Sequence, residues 1–298
     1  MGEVVGCGLL AHVPTVMLPE AVRHELNNGR DFSVVDGFRR LHREALAKLD
    51  YDLVVVFDSH WFTTVEFVIT GHGRRAGKYT SDELPRGMSQ VPYDLPGDPE
   101  FANAAAEIAR KHGTWITAID DPYLPIQYAT VNPATYLQRG KEAWLSVSCA
   151  QTAETEDFLR AGRALREAIA ASNRRVVLMA SGAMSHKFWP LRELRKHEAA
   201  GIEHIFSPAH SGADLERIEW LKAGDHARVL STMPEFLKFK PEANFGHYVM
   251  MAAAMGEADW TAPGKLYSEY ENAIGTGQVH IWFDRPAGGW NAARRAAQ

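Results

Sequence analysis

The stretch GCGLLAHVPTV (residues 6–16) is apolar from Cys7 to Ala11, then stops at His12, with Pro14 two residues on. A short apolar run ended by a breaker reads as a strand buried on both faces. The pattern recurs. YDLVVVFDSHW (51–61) ends near His60, and RRVVLMASGAMSHKFW (174–189) reaches His186. Sheets with parallel strands take their ligands outside the strand C-terminal ends. If these three strands are neighbours, their histidines converge on one rim.

Working outward, strand-like runs fall at about Val4–Ala11, Leu53–Phe57, Glu66–Thr70, Ala143–Cys149, Arg175–Ala180 and Gln278–Phe283. Helical patterns lie between them, at 38–49, 99–113, 156–172, 212–224 and 246–256. The second of these starts after Asp98 and stops at Gly113, so both of its ends are marked. Alternating strands and helices predict an α/β fold: a single domain with a central mixed, largely buried β-sheet flanked by helices, and an active site at the sheet rim. The domain is expected over residues 1–286, with a C-terminal extension over 287–298. The proline- and glycine-rich run 73–99 predicts a long ordered excursion or hairpin, and loops of that length are often functional. Residues 122–133, PYLPIQYATVNP, read as a second proline-punctuated loop.

Composition narrows the function. The chain has 298 residues and a formal net charge of −5 with both signs mixed, which argues against a nucleic-acid partner. No run approaches the roughly 20 apolar residues of a membrane span, and the N-terminus lacks a basic leader. The two cysteines, Cys7 and Cys149, both lie in apolar strand-like runs and read as buried thiols. The expectation is a soluble, cytoplasmic protein.

There are 13 histidines, and one histidine after a strand is ordinary. Three in the same position form a pattern. His197 and His204 sit in a charged stretch and read as a solvated face, and His247 reads first as part of the helix it opens. Two histidines and a carboxylate, with positions left open, make the facial triad of non-haem Fe(II) oxygenases. Composition does not choose the carboxylate among 37 acidic residues. Glu242, in KFKPEANFGHYVMM, is suggestive. By position it is either a ligand or a favourable charge near a helix start.

AHVPTVMLPE, VVVFDSHW, YTSDELP, LMASGAMSHKFW, PEANFGHYVMM and GTGQVHIWF occur in this order over about residues 5–285. Together they resemble the class III extradiol ring-cleavage dioxygenases, the family of the protocatechuate 4,5-dioxygenase β subunit. The likeness is nearest to the homoprotocatechuate (3,4-dihydroxyphenylacetate) 2,3-dioxygenase branch. The resemblance implies Fe(II) as cofactor and a catecholic substrate cleaved with O₂ next to the diol. It implies His12, His60 and Glu242 as metal ligands, His186 as the acid–base histidine, and a homo-oligomer. Where many members carry a further histidine, this chain has Gln127 and Tyr128, and a tyrosine there agrees with that branch.

A histidine suits proton transfer because its pKa, about 6.5, lies near neutrality. Tyr128 is expected to hydrogen-bond a substrate oxygen. Asn244 is expected to orient Glu242 or a water, and Asp58 to fix a ligand imidazole. The alternatives are the same chemistry on another ring (protocatechuate, a dihydroxyphenylpropionate or 2-aminophenol), a zinc-dependent hydrolase with the same ligands, or a non-catalytic binding protein.

Overall fold

The computed structural model describes residues 1–290, so residues 291–298 of the expected extension lie outside the described residues. The described residues form twelve strands: β1 (Glu3–Leu10), β2 (Leu53–Thr63), β3 (Phe67–Thr70), β4 (Arg74–Tyr79), β5 (Val91–Pro96), β6 (Ile116–Ile119), β7 (Ala143–Ala150), β8 (Arg175–Ser181), β9 (Gly264–Leu266), β10 (Glu271–Ala273), β11 (Thr276–Gln278) and β12 (Ile281–Asp284). Eight of them form one mixed sheet in the order β6-β3-β7-β2-β8-β1-β12-β9. The three histidine-bearing strands are therefore adjacent. β8 lies between β1 and β2 and runs parallel to both. Leu10 pairs with Ser181, and Ser181 with Asp58, so β1 and β8 end level with the point where β2 leaves regular pairing.

The period-2 pattern of these strands feeds two cores. Cys7, Leu9, Val55, Phe57, Leu178 and Ala180 face one layer, with the helices Pro99–Lys111, Thr155–Ala171 and Gly246–Met255. Leu10, Val54, Val56, Val177 and Met179 face the other, with the helices Ser33–Glu44 and Tyr128–Leu137. A sheet covered on both faces needs apolar residues at every position, which is why its strands read as unbroken runs.

Two expectations change in detail. The run 278–283 is not one strand: β11 ends at Gln278 and β12 begins at Ile281. His280 lies in the gap. Its Nδ1 accepts the Ala11 N–H at 3.1 Å and its Nε2 reaches the Val34 carbonyl at 3.0 Å, so a side chain replaces the ladder there. The second proline-punctuated loop is in large part the helix Tyr128–Leu137, with Pro133 inside it. Proline inside a helix leaves the carbonyl four residues back without its donor. That carbonyl, of Ala129, instead accepts the Ser181 hydroxyl at 2.6 Å. The expected excursion at 73–99 is the β4–β5 hairpin, paired from Arg74↔Pro96 to Tyr79↔Val91.

Candidate metal centre

The rim is built first by a bulge. β2 pairs with β7 in regular register to Asp58↔Ser148, and the next pair is Phe62↔Cys149. The extra residues, Ser59 to Trp61, swing out of the ladder and re-aim Ser59 and His60. Asp58 holds the bulge. Its Oδ1 accepts the backbone N–H groups of His60 at 3.0 Å and Trp61 at 2.8 Å, and its Oδ2 accepts the Thr130 hydroxyl at 2.7 Å. Asp58 thus fixes His60 through the backbone, not through the imidazole as the sequence suggested.

Glu242 arrives from a strained turn. Ala243, Asn244 and Phe245 follow it with φ of 47°, 55° and 58°. Three successive left-handed residues other than glycine are costly, about 1–3 kcal/mol each, and such strain clusters at functional sites. The buried carboxylate is anchored on both oxygens. Ser59 Oγ donates to Oε1 at 2.7 Å and the Ala183 N–H to Oε2 at 2.5 Å. Oε1 also faces His12 Nε2 at 3.4 Å and His60 Nε2 at 3.6 Å. One ligand atom from each of His12, His60 and Glu242 lies within 4.8 Å of the others. His186 approaches from the other side, its Nε2 4.0 Å from Oε2.

Charge follows from this enclosure. Burial would push the Glu242 carboxyl up, but His12, His186 and His60 hold it well below the usual carboxylate range. Burial opposes protonation of His12, yet the carboxylates of Glu242, Asp58 and Glu83 outweigh it and raise its pKa. His60 is lowered to about 3 by burial, with His12 and His186 adding repulsion. The site is a carboxylate among imidazoles, a donor set that fits a divalent cation.

The helix Tyr128–Leu137 supports each side of the rim. The Tyr128 hydroxyl is in hydrogen-bond contact with His60 Nε2 and donates to Glu83 Oε2 at 3.2 Å. Thr130 braces Asp58, and Asn132 Nδ2 donates to the His12 carbonyl at 2.7 Å. Ser181, tied to Ala129, lies 3.1 Å from His12 Nδ1. Gln127 sits at the helix start, where its carbonyl accepts the Thr130 and Val131 N–H groups. Asn244 lines a cleft beside Phe62, Cys149 and Gln151. The groups that hold Glu242 are Ser59 and the Ala183 amide, in the place the sequence gave to Asn244.

Sequence reasoning missed Ser59, Ser181, Asn132 and Glu83. Glu83 lies in YTSDELP, on the turn of the β4–β5 hairpin, and its Oε1 stands 3.8 Å from His60 Nδ1. Position in a quoted motif was the available signal for Ser59, Glu83 and Ser181. Their partners are far away in sequence. His247 is fully buried against Gly182, where a Cβ would fall 2.5 Å from its ring. Among the described residues neither of its nitrogens has a partner, and burial lowers its pKa to about 3, so the ring is held neutral.

Comparisons with known proteins give the chain a family. Residues 6–284 match the family model for the catalytic LigB subunit of aromatic ring-opening dioxygenase. The chain is 26% identical over 272 residues to 3,4-dihydroxyphenylacetate 2,3-dioxygenase of Escherichia coli, covering 90% of this chain and 95% of the relative. It is 28% identical over 269 residues to the 2-aminophenol 1,6-dioxygenase beta subunit of a Pseudomonas species, covering 86% and 85%. The crystal structure of an uncharacterized protein of Escherichia coli K12 shares the fold, with a TM-score of 0.63 at 14% identity over 94% of this chain and 99% of that one. The chain belongs to the family of catalytic LigB subunits of aromatic ring-opening dioxygenases, and it is a ring-cleavage dioxygenase.

Proposed function

We propose that this enzyme is an Fe(II)-dependent extradiol dioxygenase, with His12, His60 and Glu242 as the metal ligands. The observation that carries the reading is the convergence of their ligand atoms within 4.8 Å at the rim. Bound there, Fe(II) would supply the open positions that bring the ring's vicinal donors and O₂ together. The chain supplies the rest. Its Tyr128 hydroxyl and His186 imidazole flank the ligands from two sides. Tyr128 hydrogen-bonds a substrate oxygen. Burial, with Glu242 and Glu83 nearby, raises its pKa, so it stays protonated as a donor. His186 takes a proton from the substrate and returns it as the ring opens. Phe62 and Phe188 stand half-exposed beside His60 and His186, with ring centroids 5.9 Å and 4.7 Å away, and offer apolar walls for an aromatic ring.

The first substrate we assign is 3,4-dihydroxyphenylacetate, on the sequence likeness and on a tyrosine at position 128. A 2-aminophenol is the second, favoured by the other relative. Cys7 and Cys149 are buried and unpaired, which supports a reducing, cytoplasmic setting. A panel of 3,4-dihydroxyphenylacetate, protocatechuate, dihydroxyphenylpropionate, catechol and 2-aminophenol, followed by oxygen uptake and product mass, tests the reading. Uptake with one ring and not the others assigns the substrate. Hydrolysis with zinc and no uptake with any ring replaces the dioxygenase by the hydrolase.

A further inference from the structure

Asp214 lies on the helix Pro208–Ala223 and has no place among the groups assigned above. It is fully buried. Its Oδ1 accepts the Ser185 N–H at 3.0 Å, and its Oδ2 accepts the Ser185 hydroxyl at 2.7 Å and the Tyr270 hydroxyl at 2.6 Å. A carboxylate accepts on both oxygens, whereas an amide must donate from one end. Three converging donors therefore call for Asp and not Asn.

Ser185 is the residue before His186, and its short segment is laced to two others. Met184 N–H bonds the Gly277 carbonyl at 2.9 Å, and Gly277 N–H bonds the Ser185 carbonyl at 2.9 Å. His186 N–H bonds the Lys240 carbonyl at 2.9 Å, and Glu242 N–H bonds the Met184 carbonyl at 3.1 Å. One side of this lacing carries His186 and the other carries Glu242. Gly277, in the GTGQ motif, must lack a side chain: a Cβ there would collide with Asp214 Oδ2 and come within 2.5 Å of the Tyr270 hydroxyl.

We infer that Asp214 is a positioning residue for His186, clamping Ser185 by backbone and side chain and so setting the reach of the imidazole toward Glu242. The inference rests on the assignment of His186 in the proposed function. Burial pushes the Asp214 carboxyl up to about 7, against the pull of Tyr270, Ser185 and Arg217. The clamp is thus built at a cost in solvation, which packing alone would not require.

The test is a double-mutant cycle on the Fe(II)-loaded full chain: Asp214→Asn, His186→Ala and the pair, with Tyr270→Phe as the gentler variant. Asp214→Asn is expected to retain metal and KM and to lose roughly 10- to 100-fold in kcat, as misplacement by about 1 Å does. In the His186→Ala background it should change the residual turnover less than about twofold. Tyr270→Phe, which leaves both Ser185 contacts, should show a smaller loss that also vanishes without His186. It takes the place of Asp214→Asn in the cycle if that variant does not fold. Full turnover in the variant, or the same fractional loss in both backgrounds, overturns the inference. A second arm needs no turnover. The His186 ring resonance of the metal-free protein, identified by its loss in His186→Ala, should shift in Asp214→Asn, and an unchanged resonance overturns the inference. If the wild type opens no ring, the dioxygenase reading fails, while this resonance still decides the placement of His186.

Discussion

The Ser181 hydroxyl donates to the Ala129 carbonyl at 2.6 Å, the bond that Pro133 cannot supply. A serine has one hydroxyl hydrogen, and a carbonyl only accepts. The same Oγ lies 3.1 Å from His12 Nδ1, so it must accept there, and Nδ1 carries the hydrogen. That fixes the tautomer. In the neutral ring Nε2, which faces Glu242 at 3.4 Å, is then the nitrogen left with a lone pair. A proline inside a helix thereby selects the tautomer of a candidate ligand.

Ser181→Ala is expected to lower Fe(II) or Co(II) affinity by about 10- to 100-fold, the range for outer hydrogen-bond partners of metal ligands. Pro133→Ala should act in the same direction, because its new N–H competes for the Ala129 carbonyl. Anaerobic metal titration reads both. Unchanged affinity in the two variants would remove this chain of bonds from metal binding.

Glu242→Ala should lose more metal affinity than either of these, since it removes a proposed ligand and leaves the Ser59 hydroxyl and the Ala183 amide unpaired. Full iron occupancy by metal analysis would contradict its assignment.

His186→Ala and His186→Phe should keep iron and lose about 10²- to 10⁴-fold in turnover, the usual worth of a general acid–base group. Normal turnover in either variant would take His186 out of the chemistry.

Glu83→Ala frees the Tyr128 hydroxyl and withdraws a carboxylate 3.8 Å from His60 Nδ1. Its side chain is half-exposed on a hairpin turn, so the melting temperature should hold. We expect kcat/KM to fall on the order of tenfold, about 1.4 kcal/mol. The same change made on Tyr128→Phe should cost less, because the two groups act together. Equal losses in both backgrounds would separate Glu83 from Tyr128.

Acid should destabilise the metal-free fold. Burial lowers His226 to about 4 and His280 to about 3, against about 6.5 in an unfolded chain. Below pH 6.5 the unfolded state therefore binds more protons. The stability each ring contributes is whole above pH 6.5 and is lost as pH falls toward 4, roughly 3 kcal/mol per ring. Asp214, raised to about 7, titrates in the opposite sense and offsets part of this loss. His226→Gln should flatten the fall of the urea midpoint between pH 7 and pH 4.5, roughly the span of that titration. An unaltered slope would show that His226 is not held neutral.

The buried strands were legible because a sheet covered on both faces repeats one signal, an unbroken apolar run, and His12, His60 and His186 stood at its ends. Their adjacency was not legible, since strand order is set by packing far along the chain. The helix Tyr128–Leu137 was hidden by Pro133, whose cost is met by a hydroxyl 48 residues later in the chain, at Ser181. Likewise Ser59 and Ala183 hold Glu242 across sequence distances that no local pattern records. Asp58 looked like a partner for an imidazole because it stands two residues before His60. The bulge turned it onto the backbone instead.

The most direct measurement loads the protein with Fe(II) under nitrogen, adds 3,4-dihydroxyphenylacetate, and admits ¹⁸O₂ beside His12→Ala and Glu242→Ala. The expected result is one O₂ consumed per ring, both labelled atoms in a ring-opened product, and no reaction in the two ligand variants. Bound iron with no oxygen consumed on this or any other vicinal diol or aminophenol, or full reaction in Glu242→Ala, would contradict the assignment of this centre.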